Sequence, residues 1–485
     1  METTHGKFNY EKLGFKSGLE IHQQLDTEKL FSRTPSLLRN DLPDYSIKRK
    51  LHIIAGESGE IDEAVLHEAS FDREFYYEGY NDSISLVELD ESPPERINDE
   101  ALKITLQIAL LLNCEILPVS QIMRKIVIDG SNTSGFQRTV LIAKNGFIKT
   151  SFGKVEIETV VLEEDSARLV SKEDKKTIYR LDRLGIPLIE ISTYPYLKNP
   201  EQVKESALRL GDILRACKVR RGIGTIRQDI NISISNHPRV EIKGFQDAKM
   251  FIKTIENEVE RQIQNLKSKK AISEVRNALP DGSTEFLRPM PGSSRMYPET
   301  DLPLLFISRD MINEAKKTIP KLREDIKNEL KTKGLGEEMI KLVIKENKID
   351  EIKALSNITN DIELIAKMLV LWPKDFAKKL KKDMKIIEQI LNLDVLEGVL
   401  KSLRDGLITK HNIQDILFEI VQGKTLEEIL KKEKASIDEV ENFIRKLIKE
   451  KPGLSISGYM GIIVNEFKGK ISGKEISEIL KKYLK

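Results

Sequence analysis

Glu20 and His22 stand two residues apart in Gly18-Leu19-Glu20-Ile21-His22-Gln23-Gln24-Leu25, among apolar Leu19, Ile21 and Leu25. A period of two reads as a strand, and positions i and i+2 of a strand share a face. A carboxylate and an imidazole are thus offered side by side while Leu19 and Ile21 turn the other way. Such a pair suits a hard-to-borderline cation, Mg²⁺ or Mn²⁺, or a histidine oriented by a carboxylate. It suits equally a strand face that only meets water, and spacing alone favours that plainer outcome.

Other acids shift the balance. A strand pattern over Lys154–Leu162 runs into Glu163-Glu164-Asp165, and Glu190 sits among Leu188, Ile189 and Ile191. Arg227, Asp229, Asn231 and Ser233 alternate with Ile230, Ile232 and Ile234, and Glu241 and Lys243 alternate with Val240 and Ile242. A single polar face is routine for an antiparallel sheet against water. Several faces this rich in Glu, Asp, Arg and Lys, with one His, read as a charged active-site floor. Hard oxygen ligands of this kind are what a divalent-cation site for phosphate chemistry needs.

The elements that must hold these residues follow from periodicity. Strand patterns recur at Phe15–Leu25, Lys125–Asp129, Val140–Ala143, Lys154–Leu162, Leu188–Ile191, Ile226–Ser235 and Arg239–Lys243. Helices are predicted from Asp99 to Leu112, from Pro200 with Asn199 as N-cap, and from Asp247 to Leu266. Strands broken by isolated helices imply an α+β unit with a mixed or antiparallel sheet, not a doubly wound parallel one. No GxGxxG fingerprint or GxxxxGK[ST] loop occurs. Beyond Asp310 the periodicity is helical. Pro320, Gly334 and Gly336 punctuate it, and Trp372-Pro373 is expected to end a helix over Ile362–Leu371.

At 485 residues the chain exceeds one core. The expected division is a catalytic domain over 1–305, a helical domain over 306–405 and a helical tail over 406–485. A net charge of +2 excludes a global basic field, so nucleic-acid contact must come from local patches such as Lys378-Lys379-Leu380-Lys381-Lys382. Such helices are either solvated faces or phosphate contacts. Cys114 and Cys217 form no disulfide framework, which fits a reducing cytoplasm. Met1 to Lys12 carries no apolar leader, and the run Ile104–Leu112 is too short for a bilayer.

Four segments in order then resemble the GatB/GatE family. They are Gly18 to Leu25, Leu162-Glu163-Glu164-Asp165-Ser166-Ala167, Arg183 to Ile191, and Arg227 to Ser233; Met296-Tyr297-Pro298-Glu299-Thr300-Asp301-Leu302 matches as well. Gln23-Gln24 and Arg288-Pro289-Met290-Pro291-Gly292 look like the family's archaeal E branch, and Gly458–Leu484 resembles its helical tail, which binds tRNA. One departure stands out. Archaeal members carry an inserted domain resembling one of aspartyl-tRNA synthetases, and the stretch Lys267 to Phe286 is too short to hold it.

The resemblance implies a glutamine-synthetase-like catalytic fold and a two-step ligase reaction. ATP phosphorylates the side-chain carboxylate of Glu-tRNA(Gln), and ammonia displaces the phosphate to give Gln-tRNA(Gln). The cofactors implied are ATP and Mg²⁺. Metal-ligand candidates are Glu20, His22, Glu163, Glu164, Glu190, Asp229 and Glu241; phosphate-clamp candidates are Arg227 and Lys243. His22 is open to either metal ligation or orientation of the acyl phosphate. The partner implied is an asparaginase-like glutaminase subunit that supplies ammonia, with neither a membrane nor DNA involved. Two other readings are a bacterial-type B subunit that also accepts Asp-tRNA(Asn), and a non-catalytic tRNA-binding scaffold.

Overall fold

The computed structural model describes residues 8–55, 59–245, 249–292, 295–346, 348–432, 437–467 and 473–484. Met1 to Lys7 of the polar start, Asp247 of the third predicted helix, and Ser293 and Ser294 lie outside them, as do Gly469 to Ser472 of the tail. By compactness the chain divides into two units, 1–322 and 323–485.

The strand around Glu20 spans Lys16–Gln24 and occupies the middle of an 11-stranded sheet. To one side follow Ile226–Ser233, Val240–Phe245, Glu274–Ala278 and the edge strand Thr284–Pro289. To the other follow Pro187–Thr193, Gly153–Glu164, Phe136–Thr150, Ile122–Ile126 and the edge strand Met296–Pro298. The pairs are antiparallel except Val240–Phe245 with Glu274–Ala278, which the helix Met250–Lys267 connects. The mixed sheet of an α+β unit is therefore present, as the pattern predicted.

One face of this sheet is apolar. Leu19, Ile21, Ile189, Ile191, Ile230 and Ile232 are buried in one core with the helices Asp99–Leu111, Pro200–Ala216 and Met250–Lys267. Each such side chain contributes about 1.5–3 kcal/mol. The second helix starts where its sequence dictates: Gln202 N–H donates to the Asn199 side chain at 2.9 Å, and Lys198 N–H donates back to the Gln202 side chain at 2.8 Å.

The sheet cannot be flat. Ten strands in line have nine spacings of about 4.8 Å, which would set the two edge strands about 43 Å apart. Yet Pro289 ends one edge strand and Met296 begins the other, and seven residue steps reach at most about 25 Å. The sheet therefore curls into a trough, with the 289–296 connection crossing between its rims. Gly292 N–H donates to Asp62 Oδ2 at 2.6 Å and pins that crossing. Glu299, just past the edge strand Met296–Pro298, is fully buried and receives both Arg124 and Arg138 Nε, the latter at 2.8 Å.

Several elements escaped the sequence pattern. Tyr45–Arg49, Glu74–Gly79, Lys176–Arg180 and Arg168–Lys172 form a second, four-stranded sheet over Phe75, Tyr77, Tyr80 and Tyr179. Lys267 to Phe286, read as too short for an inserted domain, contributes the strand Glu274–Ala278 and the start of Thr284–Pro289.

The unit boundary falls at 322 and not 305, because the helix Arg309–Lys317 packs Met311, Ile312 and Ala315 into the first unit's core. No core boundary appears at 405: one apolar cluster in the second unit runs from Leu330 to Ile429, and another from Val440 to Leu480. Trp372-Pro373 does not end a helix. Lys367–Leu371 widens into a π-turn that runs directly into Trp372–Leu380, so the chain stays helical through Pro373.

Replacing Glu299 by Gln leaves Arg124 only Asp301 and Arg138 only Glu164 as carboxylate partners. The expected cost is about 1–3 kcal/mol, read as a lowered urea midpoint at constant m; a loss below about 0.5 kcal/mol would contradict the account.

Candidate active site

Register assembles the site. Across the sheet His22 faces Glu190 on one neighbouring strand and Arg227 on the other, and Glu20 faces Ser192 and Asp229. Directly opposed side chains sit about 5 Å apart, so residues more than two hundred positions apart in sequence become neighbours. His22 Nε2 lies 3.2 Å from Glu190 Oε2, 3.4 Å from Glu20 Oε1 and 3.9 Å from Glu163 Oε1. One ligand atom each from Glu20, His22 and Glu190 falls within 4.8 Å of the others.

Cations bracket this cluster. Lys125 Nζ is 3.1 Å from Glu163 Oε2 and 3.8 Å from Glu190 Oε2. Lys243 Nζ bridges Asp229 at 2.6 Å and Glu241 at 2.5 Å. Arg227 meets Asp165 at 2.9 Å, and the Gln24 side chain donates to the same carboxylate at 2.6 Å. All but Gln24 line one cavity of about 600 Å³.

The electrostatics favour a bound cation. Burial, then the neighbouring Glu190 carboxylate, pushes Glu20 up to about 7, with His22 and Lys243 only partly offsetting this. Burial disfavours the His22 cation, but the hydrogen bond and charge of Glu190, with Glu20 and Glu163, outweigh it and raise His22 to about 9. Burial likewise opposes ionisation of Glu190, yet Lys125 and His22 prevail and hold it below the usual carboxylate range. A divalent ion between the two carboxylates relieves their repulsion, and two carboxylate oxygens with an imidazole nitrogen fit Mg²⁺ or Mn²⁺.

Of the residues singled out in the sequence, Glu20, His22, Glu163, Glu190, Asp229, Glu241, Arg227 and Lys243 share this cavity. Glu164 does not. Strand alternation turns it to the opposite face, where its carboxylate lies 3.4 Å from Arg138 and burial raises its pKa despite that arginine. It is withdrawn as a metal ligand.

Four residues of the site were missed: Lys125, Asp165, Arg288 and Arg295. Lys125 was legible as the one charge between Met123 and Ile126 that shares the strand's polar phase. Asp165 was visible only as the last of three acids. Arg288 and Arg295 reach the cavity through the curl of the sheet, which no local pattern encodes.

Residues 15–313 match the GatB/GatE catalytic domain family. The E subunit of the glutamyl-tRNA(Gln) amidotransferase of Methanocaldococcus jannaschii is 35% identical, covering 99% of this chain and 100% of the relative. Its counterparts in Methanothermobacter thermautotrophicus (91% of this chain, 92% of the relative) and Thermococcus gammatolerans (98% and 99%) are each 33% identical. The first alignment spans 635 positions, 150 more than the 485 residues present here, so that relative carries residues this chain lacks. With a family match over more than half its length and relatives aligned from end to end, the chain belongs to the GatB/GatE family.

Proposed function

We propose that this chain is the amidating subunit of a tRNA-dependent amidotransferase. It uses ATP to phosphorylate the side-chain carboxylate of Glu-tRNA(Gln) and ammonia to convert the product to Gln-tRNA(Gln). The observation that carries the reading is the convergence of Glu20, His22 and Glu190 on one point of a cavity ringed by further acids and bases. The names of the relatives, E subunits of glutamyl-tRNA(Gln) amidotransferases, support it.

The chemistry sets what each residue does. A carboxylate oxygen of the substrate attacks the terminal phosphorus of ATP, the bond to ADP breaks, and an acyl phosphate forms. Ammonia then attacks the carbonyl carbon; inorganic phosphate leaves with the C–O bond's electrons, and nitrogen gives up a proton. Mg²⁺ held by Glu20, His22 and Glu190 would neutralise charge where triphosphate and carboxylate meet. Lys125 and Glu163 fix the positions of Glu190 and His22, and Lys243 holds Asp229 and Glu241 in place.

Ammonia comes from elsewhere. Burial pushes both Cys114 and Cys217 up to about 12, so neither is a thiolate poised to attack glutamine. An asparaginase-like glutaminase subunit supplies ammonia in this reading, in a cytoplasmic complex. Among the described residues no helix is long and apolar enough to cross a membrane.

Incubated with ATP, Mg²⁺ and Glu-tRNA(Gln), the chain alone should form Gln-tRNA(Gln) from ammonium and none from glutamine. Amide formation from glutamine alone would overturn the division of labour, and absence of ATP cleavage under all conditions would leave a binding scaffold. In the nucleotide-free protein, Mn²⁺ competes with the protons on Glu20 and His22. Its affinity should therefore rise from below pH 7 to above pH 9 and then level. Titration calorimetry should also show at least about tenfold weaker Mn²⁺ binding in Glu190→Gln; a flat pH profile would remove His22 from the ligand set.

The three helices from Ile437 to Tyr483 close a core of their own, and in this reading they bind the tRNA body. Deleting residues from Ile437 onward should weaken tRNA binding and flatten its salt dependence, with unchanged affinity excluding that role.

A further inference from the structure

An anion receptor needs positive charge that the protein has not already spent. The cavity is lined by nine carboxylates and six Lys or Arg side chains. Arg227 is bound to Asp165, Lys243 to Asp229 and Glu241, and Lys125 to Glu163 and Glu190. These three neutralise the floor, and a phosphate drawn to any of them must displace a carboxylate or sit beside it. That argues against Arg227 and Lys243 as the phosphate clamp, the role their sequence positions suggested.

The other three cations differ. Lys172 is exposed at the end of the strand Arg168–Lys172. Arg288 and Arg295 are half-buried, and neither has an ion pair or side-chain hydrogen bond among the described residues. Arg288 comes from one edge strand, and Arg295 immediately precedes the other. Asp62 accepts from Gly292 N–H, four residues past Arg288, and itself lines the same cavity. Burial and then the neighbouring Arg288 hold Arg295 below its ordinary arginine value, with Asp62, Glu241 and Glu190 only partly compensating. Two like charges kept partly out of water, with carboxylates near but none in direct contact among the described residues, cost free energy that a bound anion recovers.

We propose that Arg288 and Arg295 form the receptor for the triphosphate of the nucleotide, on the wall of the same cavity that holds Glu20, His22 and Glu190. This rests on the ATP-dependent reading above and deepens it. Guanidinium forks suit phosphate oxygens bidentately, and the nucleotide's reacting phosphate must share the cavity with the acceptor carboxylate. The 3′-terminal phosphodiester of the tRNA offers the same chemistry, but it need only enter at the mouth, whereas the two arginines line the cavity itself.

The test is equilibrium binding of ATP with Mg²⁺ to the full chain without tRNA, using wild type, Arg288→Ala, Arg295→Ala and Arg295→Lys. Mn²⁺ binding is measured in parallel to report an intact floor. Each alanine variant should bind ATP about tenfold to a hundredfold more weakly, with Mn²⁺ affinity not weakened, and Arg295→Lys should recover part of the loss. ATP affinity within about twofold of wild type in both alanine variants would overturn the assignment alone. So would unchanged ATP affinity with weakened Glu-tRNA(Gln) binding, which gives the arginines to the tRNA terminus. A wild-type chain that binds Mn²⁺ but no ATP would overturn the assignment together with the reading it rests on.

Discussion

The first unit is organised around carboxylates forced together where water is scarce. Glu20 and Glu190 both reach the single imidazole of His22, and Glu163, Asp229 and Asp165 are almost fully buried nearby. Isolated buried charges of one sign cost several kcal/mol each. The sheet answers with matched cations supplied from its own strands: Lys125 on one side, Lys243 and Arg227 on the other. The compensation is incomplete, and the surplus shows as a Glu20 carboxyl pushed up to about 7. A stable fold can carry that strain because the opposite face of the same strands is apolar and fully covered by three helices.

Much of this floor was legible in the sequence because it rests on short-range rules. Alternation in Lys16–Gln24 and in Ile226–Ser233 separates Glu20, His22, Arg227 and Asp229 from their isoleucine neighbours whatever the tertiary context. The same rule, applied one residue further on, should have separated Glu163 from Glu164. On this strand Glu163 and Glu164 turn to opposite faces, and only Glu163 shares a face with the polar row. The error lay in treating a run of acids as a cluster when the strand still divides them.

The rest required long-range information. The second sheet pairs Lys176–Arg180 in parallel with Glu74–Gly79 across about a hundred residues, and both are short and charge-rich, so no periodic signal announces them. The π-turn before Trp372 keeps Met368, Leu369 and Val370 buried while the chain stays helical into the proline, which a helix-stop rule does not anticipate. The walls contributed by Arg288 and Arg295 depend on curvature, which emerges only when the reach of the 289–296 connection is set against the width of the sheet.

That curvature also bears on the length of the chain. The M. jannaschii relative aligns over 150 more positions than this chain possesses, yet the sheet here is continuous from Thr284–Pro289 to Met296–Pro298. The chain between those edges is short enough to limit their separation, and Asp62 accepts from Gly292 N–H within it. Beyond it, Glu299 clamps the second edge through two arginines. What the longer relative adds is therefore not required to close the trough or to bring its two rims of charge together. The geometry of the charged cavity is set by strand register and by the curl of the sheet, both of which this shorter chain has.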